Sequence, residues 1–152
     1  MAYCDSLRFM TPKFEPLLIL TKRLDEKSIP FALGGSALLR YYSCDFPIHD
    51  WDITTDVDKD LVESALTGLE YVYVEPQGGF ASSFLFKVGI DGTPIDLIGS
   101  FALHHEDELF HVPTKVSGYW KGIPIGDPVS WARAYEIMGR NGKAQALRHS
   151  IK

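Results

Sequence analysis

Asp50 and Asp52 stand two positions apart in His49-Asp50-Trp51-Asp52-Ile53, with apolar residues at the alternate positions. In an extended strand, residues i and i+2 face the same way, so this spacing sets two carboxylates side by side while Trp51 and Ile53 face a core. Such close like charges repel, and a hard divalent cation with oxygen ligands relieves that repulsion. The spacing equally suits two solvated acids at an exposed strand end. A third acid, Asp96, interrupts the apolar run Pro94-Ile95-Asp96-Leu97-Ile98. Alternation there puts Ile95 and Leu97 on one face and Asp96 on the other. If that second face also carries Asp50 and Asp52, three carboxylates meet, enough to hold two Mg²⁺ ions. If it faces water, Asp96 needs no further explanation.

Leu33-Gly34-Gly35-Ser36 offers a different chemistry. Two glycines let the backbone approach a ligand closely, and a helix starting there presents unpaired N–H groups and a positive dipole end to a phosphate. Ser36 adds a hydroxyl, available to a phosphate oxygen or as the helix N-cap. A glycine pair also serves merely to turn the chain. The cluster His104, His105, Glu106, Asp107 and His111 is dense in metal-ligand types. Its histidines are adjacent rather than one helical turn apart, so it fits no zinc spacing and reads as an exposed loop between strands. Ser82-Ser83 lacks a nucleophile-elbow pattern, which argues against a hydrolase triad. Gly78-Gly79 reads as a loop, and Tyr41, Tyr42, Trp51, Tyr71 and Tyr73 as core or cleft wall.

The elements that must position these residues alternate between helix and strand. Apolar residues at Leu17, Leu18, Leu20 and Leu24 predict a helix over Phe14–Lys27, stopped by Pro30. Phe31-Ala32-Leu33 is a short strand running into Gly34-Gly35, and Ser36–Tyr42 the helix after it. Trp51–Thr54 is a strand. Asp58–Leu69 is an amphipathic helix with Leu61, Val62, Ala65, Leu66 and Leu69 inward, and Tyr71–Val74 a strand. Asp91-Gly92 suits a type I′ turn between strands Phe84–Ile90 and Thr93–Ile98. A second hairpin turns at Lys121-Gly122, between Val116–Trp120 and Ile123–Ile125. Asp127-Pro128 opens a final helix, with aspartate as N-cap and proline at the first position. Asn141-Gly142 should break that helix before a last basic turn.

A length of 152 residues predicts one domain over 1–152, with a basic C-terminal helix from about residue 128. The composition, 45% hydrophobic and 23% charged, excludes intrinsic disorder. A net charge of −5 gives no global reason to seek nucleic acid or an anionic membrane. From Pro128 onward, however, five bases (Arg133, Arg140, Lys143, Arg148, Lys152) face one acid, Glu136. That segment either helps hold a phosphate or pairs with the acidic body. Cys4 and Cys44 make no disulfide framework and read as structural thiols in a reducing compartment. Neither a membrane span nor a signal peptide is visible, so a cytoplasmic location is expected.

Taken in order, the glycine turn, the paired acids and the isolated acid resemble the nucleotidyltransferase superfamily of DNA polymerase beta, the CCA-adding enzymes and the antibiotic nucleotidyltransferases. The residues concerned are Leu33-Gly34-Gly35-Ser36, Asp50-Trp51-Asp52-Ile53 and Ile95-Asp96-Leu97. Gly34 to Asp56 is similar to the CCA-adding enzymes down to Thr54-Thr55-Asp56, and Arg40 lies near their arginine, although the rest of their Val-Arg-Asp signature is absent. Ile123 to Lys143 resembles the ending of small stand-alone members.

The resemblance implies an α/β (α+β) fold: a small mixed, largely antiparallel sheet packed on helices. It implies that Asp50, Asp52 and Asp96 bind two Mg²⁺ ions and carry catalysis, and that Gly34, Gly35 and Ser36 hold the phosphates of a nucleoside triphosphate, ATP by preference. The reaction expected is transfer of a nucleoside monophosphate to an acceptor hydroxyl with release of pyrophosphate. The alternative is a catalytically silent nucleotide-binding or regulatory module, such as a toxin–antitoxin component. This length leaves no room for the helical domain with which CCA-adding enzymes and polymerases bind their acceptors. A small-molecule or protein acceptor, or a partner chain completing the site, is therefore expected ahead of nucleic acid.

Overall fold

The computed structural model describes residues 11–43 and 45–151, so Cys4 and Cys44 lie outside the described residues. Its longest strands form the hairpin of β4 (Phe84–Ile90) and β5 (Thr93–Gly99). Along both strands burial alternates. Phe84, Phe86, Val88, Ile95 and Leu97 enter the core, while Leu85, Lys87, Asp96 and Ile98 take the opposite face. The turn residues Asp91 (φ 51°) and Gly92 (φ 75°) both have the positive φ that a type I′ turn requires. Lys121 (φ 52°) and Gly122 (φ 82°) do the same between β8 (Gly118–Trp120) and β9 (Ile123–Ile125).

These strands join β1 (Ala32–Gly34), β2 (Trp51–Thr55) and β3 (Glu70–Tyr73) in a seven-stranded sheet ordered β3-β4-β5-β2-β1-β9-β8. Among the described residues only the β2–β5 and β1–β9 pairs are parallel, so the sheet is mixed and largely antiparallel, as expected. The fold is α+β. Trp51 pins the start of β2: its ring is fully buried and its Nε1–H donates to the Lys13 carbonyl at 2.8 Å. Phe14 meets that ring edge-on at 6.2 Å. Burying one such aromatic contributes on the order of 3 kcal/mol, enough to hold the adjoining acids in place.

Helix α1 (Glu15–Glu26) buries Leu17, Leu20 and Leu24, and α2 (Gly35–Tyr42) follows β1 directly. Helix α4 (Pro128–Ile137) begins as its sequence indicates: Asp127 Oδ2 accepts from Ser130 N at 3.2 Å, with Pro128 in the first turn. No described helix is long and apolar enough to cross a membrane.

Five expectations are corrected. Helix α3 covers only Lys59–Ser64; turns follow it to Gly68 (φ 88°), and Leu61 lies exposed while Val62, Ala65 and Leu66 are buried. The C-terminal helix breaks at Gly139 (φ 79°), not at Asn141-Gly142, which instead begin a full helix, α5 (Asn141–Ser150). The residues read as a loop around His104 form a hairpin, β6 (Ala102–His105) with β7 (Glu108–His111), held by the Leu103–Phe110 pairing. Ser36 is not the N-cap of α2; that place belongs to Gly34, in extended backbone. Asp50 lies in a bend just before β2 rather than within the strand.

Candidate active site

Register brings the site together. Antiparallel pairing sets Gly34 opposite Asp52, parallel pairing sets Asp52 opposite Asp96, and the β4–β5 hairpin sets Asp96 opposite Lys87. Register partners share a face, so one row across four strands reads glycine, acid, acid, base. Lys87 Nζ lies 3.2 Å from Asp96 Oδ1. Asp50, exposed at the approach to β2, adds a third carboxylate to the same cavity of about 730 Å³.

The glycine turn closes one side of that cavity. Gly35 has φ 57°, a conformation that L side chains rarely adopt, and a Cβ there would collide with the Asp52 carboxylate. A Cβ on Gly34 would collide with the Trp131 ring. Both glycines are therefore required by close approach, one to the acid row and one to α4. Ser36 Oγ accepts from His49 N at 3.0 Å and donates to the Asp50 carbonyl at 3.3 Å. The hydroxyl thus braces the loop that carries Asp50 against the start of α2. Arg40, further along α2, is buried and does not line the cavity.

The electrostatics are unbalanced at one point. Burial, then the charges of Asp96 and Asp50, push the Asp52 carboxyl up to about 7, while Lys87 and Arg140 pull it back only in part. Burial and the same Asp52 charge raise the Tyr135 hydroxyl. The donors of the acid group Asp50, Asp52 and Asp96 are carboxylate oxygens, and an added positive charge beside Asp52 would relieve its strain, so this donor set suits a hard cation. Among the described residues no three His, Cys, Asp or Glu side chains already close into a cation cage. Mg²⁺ does not need one, since it keeps several waters and takes ligands from substrate phosphates.

The basic C-terminal segment divides between two roles. Arg148 Nε and Arg133 Nη1 pair with Glu136 at 2.7 and 3.3 Å, within the segment itself. Arg140 and Lys143 turn toward the cavity, where burial and then Arg140 lower the Lys143 ammonium. The histidine cluster is spread along the β6–β7 hairpin: His105 Nε2 faces Arg133 at 3.3 Å, and His111 Nε2 lies 3.2 Å from Asp56 Oδ1.

Sequence reasoning missed Lys87 and the aromatic wall of Phe80, Phe101, Trp131 and Tyr135. Lys87 had a signal. A two-residue turn at Asp91-Gly92 fixes Ile90 opposite Thr93, and counting outward puts Lys87 opposite Asp96. The aromatic wall had none, because its members come from separate segments.

No protein-family model and no curated protein matches the sequence. Solved structures do. A Thermotoga maritima protein provisionally assigned as a nucleotidyltransferase superposes with a TM-score of 0.60 at 21% identity, covering 95% of this chain and 97% of that one. The solution structure of the antibiotic-resistance factor ANT(2″)-Ia gives 0.62 at 13% identity, over 90% of this chain and 82% of that one. A crystal structure of ANT(2″)-Ia in complex with adenylyl-2″-tobramycin gives 0.57 at 13% identity, over 91% and 88%. At these identities the likeness is one of architecture, and it agrees with the order of the glycine turn and the acids in the sequence. The chain has the nucleotidyltransferase fold.

Proposed function

We propose that residues 1–152 form one nucleotidyltransferase unit that moves a nucleoside monophosphate from a nucleoside triphosphate, ATP by preference, to an acceptor hydroxyl. The observation that carries this reading is the register row Gly34–Asp52–Asp96–Lys87, whose acids and lysine line one cavity together with Gly35 and Ser36. Asp50, Asp52 and Asp96 would hold two Mg²⁺ ions, which when bound neutralise charge on the attacking and leaving oxygens. Backbone N–H groups at the start of α2 receive the terminal phosphates, favoured by the helix dipole. Asp96 takes the proton of the acceptor hydroxyl, with Lys87 Nζ held beside it at 3.2 Å. The acceptor oxygen then bonds to the α-phosphorus as the bond to the bridging oxygen breaks, and pyrophosphate leaves. Arg140 and Lys143, which line the cavity, offer its charge a counterpart. ANT(2″)-Ia, whose complex holds an adenylylated aminoglycoside, supports a small-molecule acceptor as the first class to try. A triphosphate donor also fits the cytoplasmic setting expected from the cysteine content.

The test is pyrophosphate release from Mg²⁺–ATP with panels of small-molecule hydroxyl acceptors, proteins and RNA. Release that depends on one acceptor and is lost in Asp52→Asn supports the reading. Nucleotide binding without release across all panels would favour the silent binding module.

A further inference from the structure

The cavity has a second half that the transfer chemistry does not use. Trp131, whose ring covers Gly34, stacks on Phe101 with centroids 4.8 Å apart and planes at 27°. Phe101 in turn stacks on Phe80 at 6.4 Å and 29°. These rings form a ladder that starts at the glycine turn and ends at Phe80. The first two rings are buried, at 4% and 3% exposure, whereas Phe80 is 45% exposed and lines the cavity. Ladder geometry is held by backbone contacts. Phe80 bridges to Leu103 of β6, Ala81 N donates to the Ala102 carbonyl at 2.8 Å, and His104 N donates to the Gly79 carbonyl at 2.8 Å. On the sheet side of the same half, Leu85 and Ile98 line the cavity. An aromatic stack that ends in an exposed ring lining the cavity is a seat for one more flat ring.

We propose that Phe80 is the nucleobase platform of this site: the base of the bound nucleotide stacks on its open face, continuing the Trp131–Phe101–Phe80 ladder. The assignment rests on the nucleotidyl-transfer reading and deepens it. Phosphates seated at Gly35-Ser36 leave the base to reach along the wall that begins at Gly34, and that wall is the ladder. The acids of the row start from the same glycine, across β2 and β5, and must stay open to the acceptor. Stacking has no need of base-specific hydrogen bonds, so the platform accepts any base and favours the larger face of a purine.

The experiment is calorimetric titration with Mg²⁺ and either α,β-methylene-ATP, which cannot transfer its nucleotide, or inorganic tripolyphosphate, which has no base. Wild type should bind both, the nucleotide more tightly. Phe80→Ala should weaken the nucleotide about tenfold, as loss of one base–aromatic stack implies, and leave tripolyphosphate unchanged. Phe80→Trp should keep nucleotide affinity. Unchanged tripolyphosphate binding also reports that the variant is folded. Equal nucleotide affinity in wild type and Phe80→Ala would overturn the platform while leaving the transfer reading intact. Wild type binding neither probe would instead overturn the transfer reading, and the platform with it.

Discussion

The two ends of β2 carry aspartates of opposite character. Asp56, just past the strand, is well provided for: Thr114 N donates to its Oδ2 at 2.9 Å and His111 Nε2 lies 3.2 Å from its Oδ1. Beside it Thr114 Oγ1 and Thr54 Oγ1 are 3.1 Å apart, so this end is a closed polar network tying the β7 hairpin to the sheet. Asp52, at the other end, faces two further carboxylates and is pushed up to about 7. Lys87 reaches Asp96 rather than Asp52 at 3.2 Å. A satisfied carboxylate fastens a loop; an over-crowded one awaits a positive charge. That contrast, more than the count of acids, is the ground for proposing the Asp52 end as the functional one.

The largest effect expected is on turnover. Asp52→Asn keeps the volume and removes the charge, so acceptor-dependent pyrophosphate release should fall by roughly a hundred- to a thousandfold, in line with losing a charge-stabilising group from a transfer site. Asp56→Asn should leave release unchanged. Comparable losses in both variants would erase the distinction between the two ends.

A second effect concerns stability in the absence of divalent metal. Asp52 shifts from 3.8 to about 7 on folding, so the folded chain holds a proton that the unfolded chain releases. The resulting stabilisation is complete below about pH 4 and disappears as the pH rises toward about 7. Melting temperatures in a chelating buffer should therefore decline over that interval, and Asp52→Asn should flatten the decline. A wild-type profile with no decline there would mean the acids are not crowded.

Lys87→Met sharpens the same point with a smaller change. Lys87 lowers the Asp52 carboxyl, so its removal should move the decline to higher pH. The direct loss of the half-exposed pair with Asp96 should cost about 1 kcal/mol or less by chemical denaturation. The smallest effect belongs to Asp56→Asn, about 1 kcal/mol at most, since its exposed network is screened by solvent.

Much of this site was legible because short-range rules governed it. Alternation placed Asp96 opposite in direction to Ile95 and Leu97, and Asp91-Gly92 fixed the register that puts Lys87 beside it. What local pattern cannot reach is the parallel pairing of β2 with β5, which sets Asp52 beside Asp96. That adjacency joins segments far apart in sequence, and the family resemblance, not periodicity, supplied it. The β6–β7 hairpin was hidden for another reason: His104, His105, Glu108 and His111 are poor strand formers, and the single apolar pairing Leu103–Phe110 decides the matter in three dimensions. Helix α3 was over-extended because Ala65 and Leu66 continue the helical period while their backbone has already entered turns. The Phe80–Phe101–Trp131 ladder draws on three separate segments, and no window of sequence contains it.

The central claim is that the Asp52 end of β2 takes Mg²⁺ with a nucleotide. Its most direct test is thermal melting of wild type, Asp52→Asn and Asp56→Asn with and without Mg²⁺ and α,β-methylene-ATP. Ligand bound only by the folded state raises the melting temperature, by about 2.7 kcal/mol of stability at a hundredfold excess over Kd. Wild type and Asp56→Asn should gain equally, only when Mg²⁺ and nucleotide are present together, and Asp52→Asn should gain little. Equal gains in wild type and Asp52→Asn would contradict the claim.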